Sequence, residues 1–319
     1  MATYAMDRPA QMRLSRCRGW ALRPRNGVCY KAFHGMGNRT MTVAPVYKQG
    51  WAMDDVHWSL FDPSQVEPTL LAAMKAAALV EYNAPDYVIY LKRVFANAGE
   101  KVLADLEQWG REEAQHGRAL GRWAEMADPN FKLEEAFARF RKGYTPAHFA
   151  VAEEGSVRGS RRGEMIARCV VESGTSSYYS AIRDATEEPV LKEIAGRIAA
   201  DEYRHYKLFY DTLHAQAEPE LSFWRKLWIA VGRVRESDDD ELAFSYYCAN
   251  VSPEEEAARP YDRKKYSRLA GQASMSVYHR HHIQKLVQMV IKAMGANPHG
   301  WLANMAEALL WRRLSAKSA

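Results

Sequence analysis

Glu113 and His116 stand three residues apart, and so do Glu202 and His205. At that spacing in an α-helix a carboxylate and an imidazole lie side by side on one face. Each pair follows a lone glutamate, Glu81 before the first and Glu172 before the second, so the chain reads Glu, Glu-x-x-His, Glu, Glu-x-x-His. All six interrupt stripes of helical period that are otherwise apolar, which turns them towards an interior. Burying a carboxylate costs on the order of several kcal/mol. Four that converge in an apolar core stay ionised only if positive charge accompanies them, and two divalent cations would supply it. Six oxygen and nitrogen donors without sulfur suit iron, with manganese as the second choice. The ordinary alternative, solvent-facing pairs on amphipathic helices, requires all six to fall on apolar faces by accident. Glu112 and Asp201 directly precede the two motif glutamates. A ligand histidine commonly donates its other N–H to such a group, so both are candidates for orienting the imidazoles.

Four helices have to carry these residues. Leu70, Met74, Ala77, Glu81, Ala84, Val88, Leu91 and Phe95 form one face, and Leu103, Leu106, Trp109, Glu113, His116, Leu120 and Trp123 a second. Met165, Cys169, Glu172, Thr175, Tyr179 and Ile182 form a third, and Ile194, Ile198, Glu202, His205 and Phe209 a fourth. The separations of 32 residues (Glu81 to Glu113) and 30 residues (Glu172 to Glu202) suit antiparallel neighbours. Half a helix out and half back, about 20 Å each way, brings each lone glutamate level with its Glu-x-x-His. The 59 residues from Glu113 to Glu172 leave room for one long crossover, which predicts an all-α four-helix bundle. Pro85 removes the bond to the Glu81 carbonyl and predicts a kink there. Gly174 leaves space beside Glu172 and Thr175, or simply permits close helix packing.

The bundle is predicted over residues 66–215, with extra helices over 216–319; the clearest of these is a continuous helix from about Arg263 to Met294. Gly155–Gly163 and the acidic stretch Asp238–Glu241 read as loops. Eight basic residues between Arg8 and Arg39, set against Asp7, give residues 1–40 a charge of +7 in a chain of +5, so residues 41–319 carry −2. The folded part is not basic, which removes the support for a nucleic-acid partner. Residues 1–45 read as a basic, disordered or extended-start segment, with Met36 and Met41 as alternative starts, and residues 46–319 as the helical domain. No stretch reaches the roughly 18 uncharged apolar residues of a membrane span. The four cysteines have neither zinc-ligand nor rubredoxin-type spacing, and a reducing, cytoplasmic location is expected.

These residues resemble the soluble acyl-carrier-protein desaturases of the ferritin-like superfamily. Trp109, Glu112, Glu113, His116 and Gly117 are similar to that family's second-helix motif. Ala199, Ala200, Asp201, Glu202, Arg204 and His205 are similar to its fourth-helix motif. Glu172 with Thr175 resembles its third helix, and Glu81, Pro85 and Tyr87 follow its first more loosely. The resemblance implies two irons that activate O2 with electrons from a ferredoxin-type donor and abstract hydrogen from an acyl chain on its carrier protein. It assigns oxygen handling to Thr175 and electron delivery to Trp109 and Asp201, and a homodimer is expected. Rival readings are a di-iron oxygenase that hydroxylates or N-oxygenates a small molecule, and an oxidase like a reductase radical subunit. Iron storage or peroxide detoxification is the rival from another class. His279, His281 and His282 read as a solvated face without an acidic partner set. Arg158, Arg161 and Arg162 read as a solvated loop, with an acidic carrier or a phosphate as the sharper alternative.

Because residues 1–40 lack apolar periodicity, a chain beginning at Met41 is expected to keep its metal content and melting temperature. A loss of several degrees in a thermal melt would show that the segment packs on the helices.

Overall fold

The computed structural model describes residues 50–144, 155–236 and 240–318, all within one unit, Gln49–Ala319. The described residues form helices and no strands. After short 3-10 turns at Met53–Asp55, Trp58–Leu60 and Pro63–Gln65 come α1 (Pro68–Tyr82), α2 (Ala84–Val94), α3 (Glu100–Ala127) and α4 (Leu133–Gly143). Then follow α5 (Arg161–Ala185), α6 (Pro189–Ala215), α7 (Phe223–Glu236), α8 (Asp240–Asn250), α9 (Arg263–Met275), α10 (Arg280–Ala293) and α11 (Trp301–Ser318).

The helix starts follow from local chemistry. Pro68 and Pro189 open α1 and α6, where a missing N–H costs nothing. The Glu67 carboxylate accepts from the Leu70 N–H (2.6 Å) and Ser160 Oγ from that of Gly163 (3.0 Å). Glu188 caps α6 through Val190 and Leu191 while also accepting from Trp123 Nε1 (2.7 Å), so this fully buried carboxylate ties α3 to the start of α6. The kink expected at Pro85 is a complete break: α1 ends at Tyr82 and α2 starts at Ala84, one residue before the proline.

α1 and α2 pack along α3, α5 packs along α6, and α3 faces α6; α7 and α10 lie on α5, and α8 lies on α1. One apolar cluster takes Met74 and Leu79 of α1, Leu120 and Trp123 of α3, Ile182 of α5 and Ile194 and Ile198 of α6. A second takes Leu91 and Phe95 of α2, Leu106 and Trp109 of α3, Met165 and Cys169 of α5 and Phe209 of α6. The motif glutamates and histidines lie between these two stretches on every helix, so the site is a polar layer enclosed by two apolar ones.

Three sequence expectations are corrected. The helix expected over 263–294 breaks between Met275 and Arg280, because Val277 is buried in the core and the chain restarts with His279 as the α10 cap. Glu241, expected in a loop, belongs to the first turn of α8, and its carboxylate accepts from Tyr87 Oη (2.8 Å). α5 begins inside the expected 155–163 loop, at Arg161. Residues 1–45 and Asp238 lie outside the described residues.

Gly117 sets the approach of α3 to α1. A Cβ there would sit 2.6 Å from the Tyr82 main-chain nitrogen and 2.8 Å from its Cα, and main chain cannot swing aside. Gly117→Ala is expected to cost about 2 kcal/mol or more. Gly271→Ala, where a Cβ meets open space within α9, is expected to be neutral or stabilising by up to about 1 kcal/mol. Denaturant melts of the two variants check the contrast; equal midpoints would show that α1 and α3 do not pack through Gly117.

Candidate metal centre

Glu81 lies one residue before the end of α1, Glu113 and His116 in the middle of α3, Glu172 in the middle of α5, and Glu202 and His205 in the middle of α6. None of the six is more than 7% exposed. They form two overlapping groups, Glu81, Glu113, His116 and Glu202 in one, and Glu113, Glu172, Glu202 and His205 in the other. Within each group the potential ligand atoms lie within 4.8 Å of one another. Glu113 and Glu202 are common to both, and each group adds one lone glutamate and one histidine.

The outward nitrogens fix the imidazoles. His116 Nε2 lies 3.1 Å from Asp201 Oδ2, and His205 Nε2 lies 2.8 Å from Glu112 Oε2. The pairing is crossed: the acid beside each Glu-x-x-His orients the histidine of the other. With Nε2 donating to a carboxylate, each Nδ1 turns a lone pair inwards. There it meets carboxylate oxygen, Glu202 Oε1 at 3.1 Å from His116 and Glu113 Oε1 at 2.9 Å from His205. Neither contact has hydrogen-bond geometry, and both Nδ1 atoms and the Oε1 atoms of Glu113, Glu172 and Glu202 are buried without a hydrogen-bond partner. Orphaned acceptors facing each other at about 3 Å, in a low-dielectric interior, need a cation between them. Ligands about 2.0–2.2 Å from a common ion lie about that far apart. The donor set therefore fits metal ions.

Without metal, protons have to do the same work. Burial, reinforced by the charges of Glu113 and Glu202, pushes the Glu81 carboxyl well above the usual range. Burial does the same to Glu172, against the pull of His205. Glu202 is held below its ordinary value, because His116 and His205 outweigh the cost of burial. Burial would lower His116, but Asp201, Glu202 and Glu113 raise it to about 9. His205, among Glu112, Glu113, Glu172 and Glu202, is likewise raised well above its ordinary value, against the cost of burial. The upward shifts of Glu81, Glu172, His116 and His205 are thus the metal-free response to the cluster's crowded negative charge.

Thr175 is half-buried and its hydroxyl donates to Glu202 Oε2. Asp201 is buried, with Oδ2 on His116 and Oδ1 accepting from Arg204 Nη2 (2.7 Å). Trp109 is not on Asp201. It packs edge-on against Phe209, with ring centroids 5.6 Å apart, in the second apolar cluster. The indole on Asp201 is Trp51, whose Nε1 donates to Oδ2 (2.8 Å) and whose ring lies parallel to that of His116, 6.2 Å away. Trp51 lies in the irregular segment before α1, where no periodicity marks it. Tyr179 was also missed as a site residue. It lies seven residues after Glu172 on the same stripe, and its buried hydroxyl donates to Glu81 Oε1 (2.5 Å).

The arginine loop is not solvated as expected. Arg158 pairs with Glu236, and Arg162 with Glu220 and the Glu218 carbonyl. Arg161 Nε donates to the Val94 carbonyl. No protein-family model matches the chain, and comparison with curated proteins returns no match. The all-helical fold with its buried glutamate and histidine cluster is compatible with a ferritin-like fold.

Metal uptake is expected to release protons, with apparent affinity rising as pH increases. Anaerobic calorimetry with Fe2+ or Mn2+ in buffers of different ionisation enthalpy measures the release; none at all would refute this account of the centre. The sign for stability follows. His116 has a folded value above its ordinary one, so the metal-free protein keeps that stability below about pH 6.5 and loses it as pH rises through about 9. Bound metal should abolish the loss.

Proposed function

We propose that the chain is an O2-dependent di-iron oxidoreductase. In this reading α1 with α2, α3, α5 and α6 form a ferritin-like four-helix bundle. Glu81, Glu113, His116 and Glu202 hold one iron, and Glu113, Glu172, Glu202 and His205 the other; manganese is the alternative metal. The observation that carries the proposal is the pair of overlapping groups sharing Glu113 and Glu202, sealed between two apolar layers. Iron held there supplies O2 activation and hydrogen abstraction from an unactivated C–H bond, which side chains alone cannot perform.

The chain's own residues position that chemistry. Trp51, Asp201 and His116 form a hydrogen-bonded line into the cluster. It starts at a hollow lined by Gly50, Trp51, Arg111, Gln115 and Arg118 among others. Its lining also holds Glu112 and Asp201, but both are paired with histidine and Arg204, so the exposed Arg111 and Arg118 are what it offers a partner, which suits an acidic, ferredoxin-type electron donor. The Thr175 hydroxyl on Glu202 can hold or pass a proton there. A Cβ at Gly174 would meet nothing within 4 Å, so the helix face beside Thr175 is open. The desaturase-like flanks of the ligands favour an acyl chain on its carrier protein as substrate.

A second reading, oxygenation of a small polar molecule, is favoured by the polar network one turn before Glu172. Arg168 lies over the Tyr87 ring and beside Glu164, Tyr90 Oη donates to Glu164 Oε2 (2.7 Å), and Tyr87 Oη donates to Glu241.

With iron, O2 and a reduced ferredoxin, O2 consumption is expected to depend on an organic substrate, and acyl carriers and small carboxylates form the two arms of the assay. Glu113→Ala and Glu202→Ala should each lose metal while remaining helical. Trp51→Phe and Asp201→Asn should slow re-reduction of the oxidised centre more than they weaken metal binding. Thr175→Val should uncouple O2 use from product. Loading of many irons per chain with no organic product would sink the proposal in favour of storage.

A further inference from the structure

His281 and His282 open α10, and Asp184 lies at the end of α5, about 18 Å along that helix from Glu172 at 1.5 Å per residue. The fold brings them together. His282 Nε2 is 3.1 Å and His281 Nε2 3.6 Å from Asp184 Oδ2, and the two rings lie 3.9 Å apart between centroids. The sequence reading gave this histidine run no acidic partner; Asp184, almost a hundred residues away in the chain, is that partner.

We propose that Asp184, His281 and His282 form a second divalent-metal site, of the zinc class, on the outside of the molecule and independent of the buried centre. Two ligands each about 2.0–2.2 Å from a tetrahedral ion are about 3.3–3.6 Å apart, and the carboxylate-to-imidazole distances of 3.1 and 3.6 Å bracket that separation. Two imidazoles and one carboxylate are a zinc-type donor set. His282 is 1% exposed and His281 exposed, so one ligand is rigidly held while the remaining coordination position opens to water.

The surroundings prepare the ligand atoms. Asp184 Oδ1 accepts from Arg183 Nε (2.8 Å), which leaves Oδ2 directed at the histidines. Ser177 Oγ of α5 donates to the His282 carbonyl (3.0 Å) and fixes the first turn of α10 against α5. Without metal, the His279 main-chain N–H donates to His282 Nδ1 (3.1 Å), so the His282 proton lies on Nε2, towards Asp184. Metal binding replaces that proton, moves the His282 N–H to Nδ1 and releases the His279 N–H, which lies at an exposed residue, to water. A single carboxylate shared with Arg183 sets a modest affinity. The bound ion would tie α10 to α5, the helix that carries Glu172, Thr175 and Tyr179.

The test titrates Zn2+ alone into the full-length protein by calorimetry, with the iron or manganese content measured before and after. One further equivalent is expected in the wild type and in His279→Ala. At least tenfold weaker binding is expected in His281→Ala and in Asp184→Asn, with Co2+ giving a tetrahedral absorption band in the wild type and His279→Ala but in neither of these two. His281 is exposed, so His281→Ala should melt like the wild type. Equal zinc binding by wild type and His281→Ala, loss of binding in His279→Ala, or no additional equivalent in the wild type would each overturn the site.

Discussion

Charge neutrality in a dry layer governs this structure. Glu81, Glu113, Glu172 and Glu202 meet His116 and His205 where four helices pass one level, with apolar side chains above and below. Such a layer is stable only if its charges sum to nearly zero, whether protons or metal ions supply the balance. The apolar layers strengthen every interaction inside by excluding water, and for the same reason make an unbalanced charge intolerable. Asp201 and Glu112 sit just outside, where Arg204 reaches both, so the acids that orient the histidines add little uncompensated charge.

Converging carboxylates also demand close helices, and α3 provides the closeness. Gly117, directly after His116, admits the main chain of Tyr82, the residue directly after Glu81. One substitution-intolerant contact therefore sets how near the first lone glutamate comes to the first Glu-x-x-His. The break after Tyr82 serves the same end: α1 delivers Glu81 at its last turn, and α2 restarts to carry Tyr90 and Leu91 into the second apolar cluster.

What the sequence made legible was local. The six cluster residues stand at i, i+3 spacing or on apolar stripes, and the break before Pro85 follows from a missing N–H. What it hid depends on partners distant in the chain. Trp51 reaches Asp201 across 150 residues from an irregular segment. Arg158 and Arg162 find Glu236 and Glu220 across 78 and 58 residues, so a loop that reads as solvated is paired. Met275–Arg280 contains neither Gly nor Pro, and its break comes from burial of Val277 and the cap at His279, which no local propensity marks. Trp109 holds the motif position with its ring in the apolar layer, and the indole on Asp201 belongs to a tryptophan outside every helix.

Two motifs that look alike in sequence become unlike in space. The His116 side continues through Asp201 to Trp51 and a hollow with Arg111 and Arg118 at its rim. The His205 side continues through Glu112 to Gln108, whose Nε2 donates to that carboxylate (2.9 Å); both line the same hollow, but among the described residues no aromatic ring is hydrogen-bonded to Glu112. The lone glutamates diverge as well. Glu81 is fastened by the Tyr179 hydroxyl, whereas Glu172 keeps an unpartnered oxygen. A carboxylate fastened by a hydrogen bond holds its position, while one with a free oxygen can shift when an ion or proton arrives next to it. The layer is thus alike in the residues it gathers and unlike in what holds them, fastened at Glu81 and with an oxygen left free at Glu172.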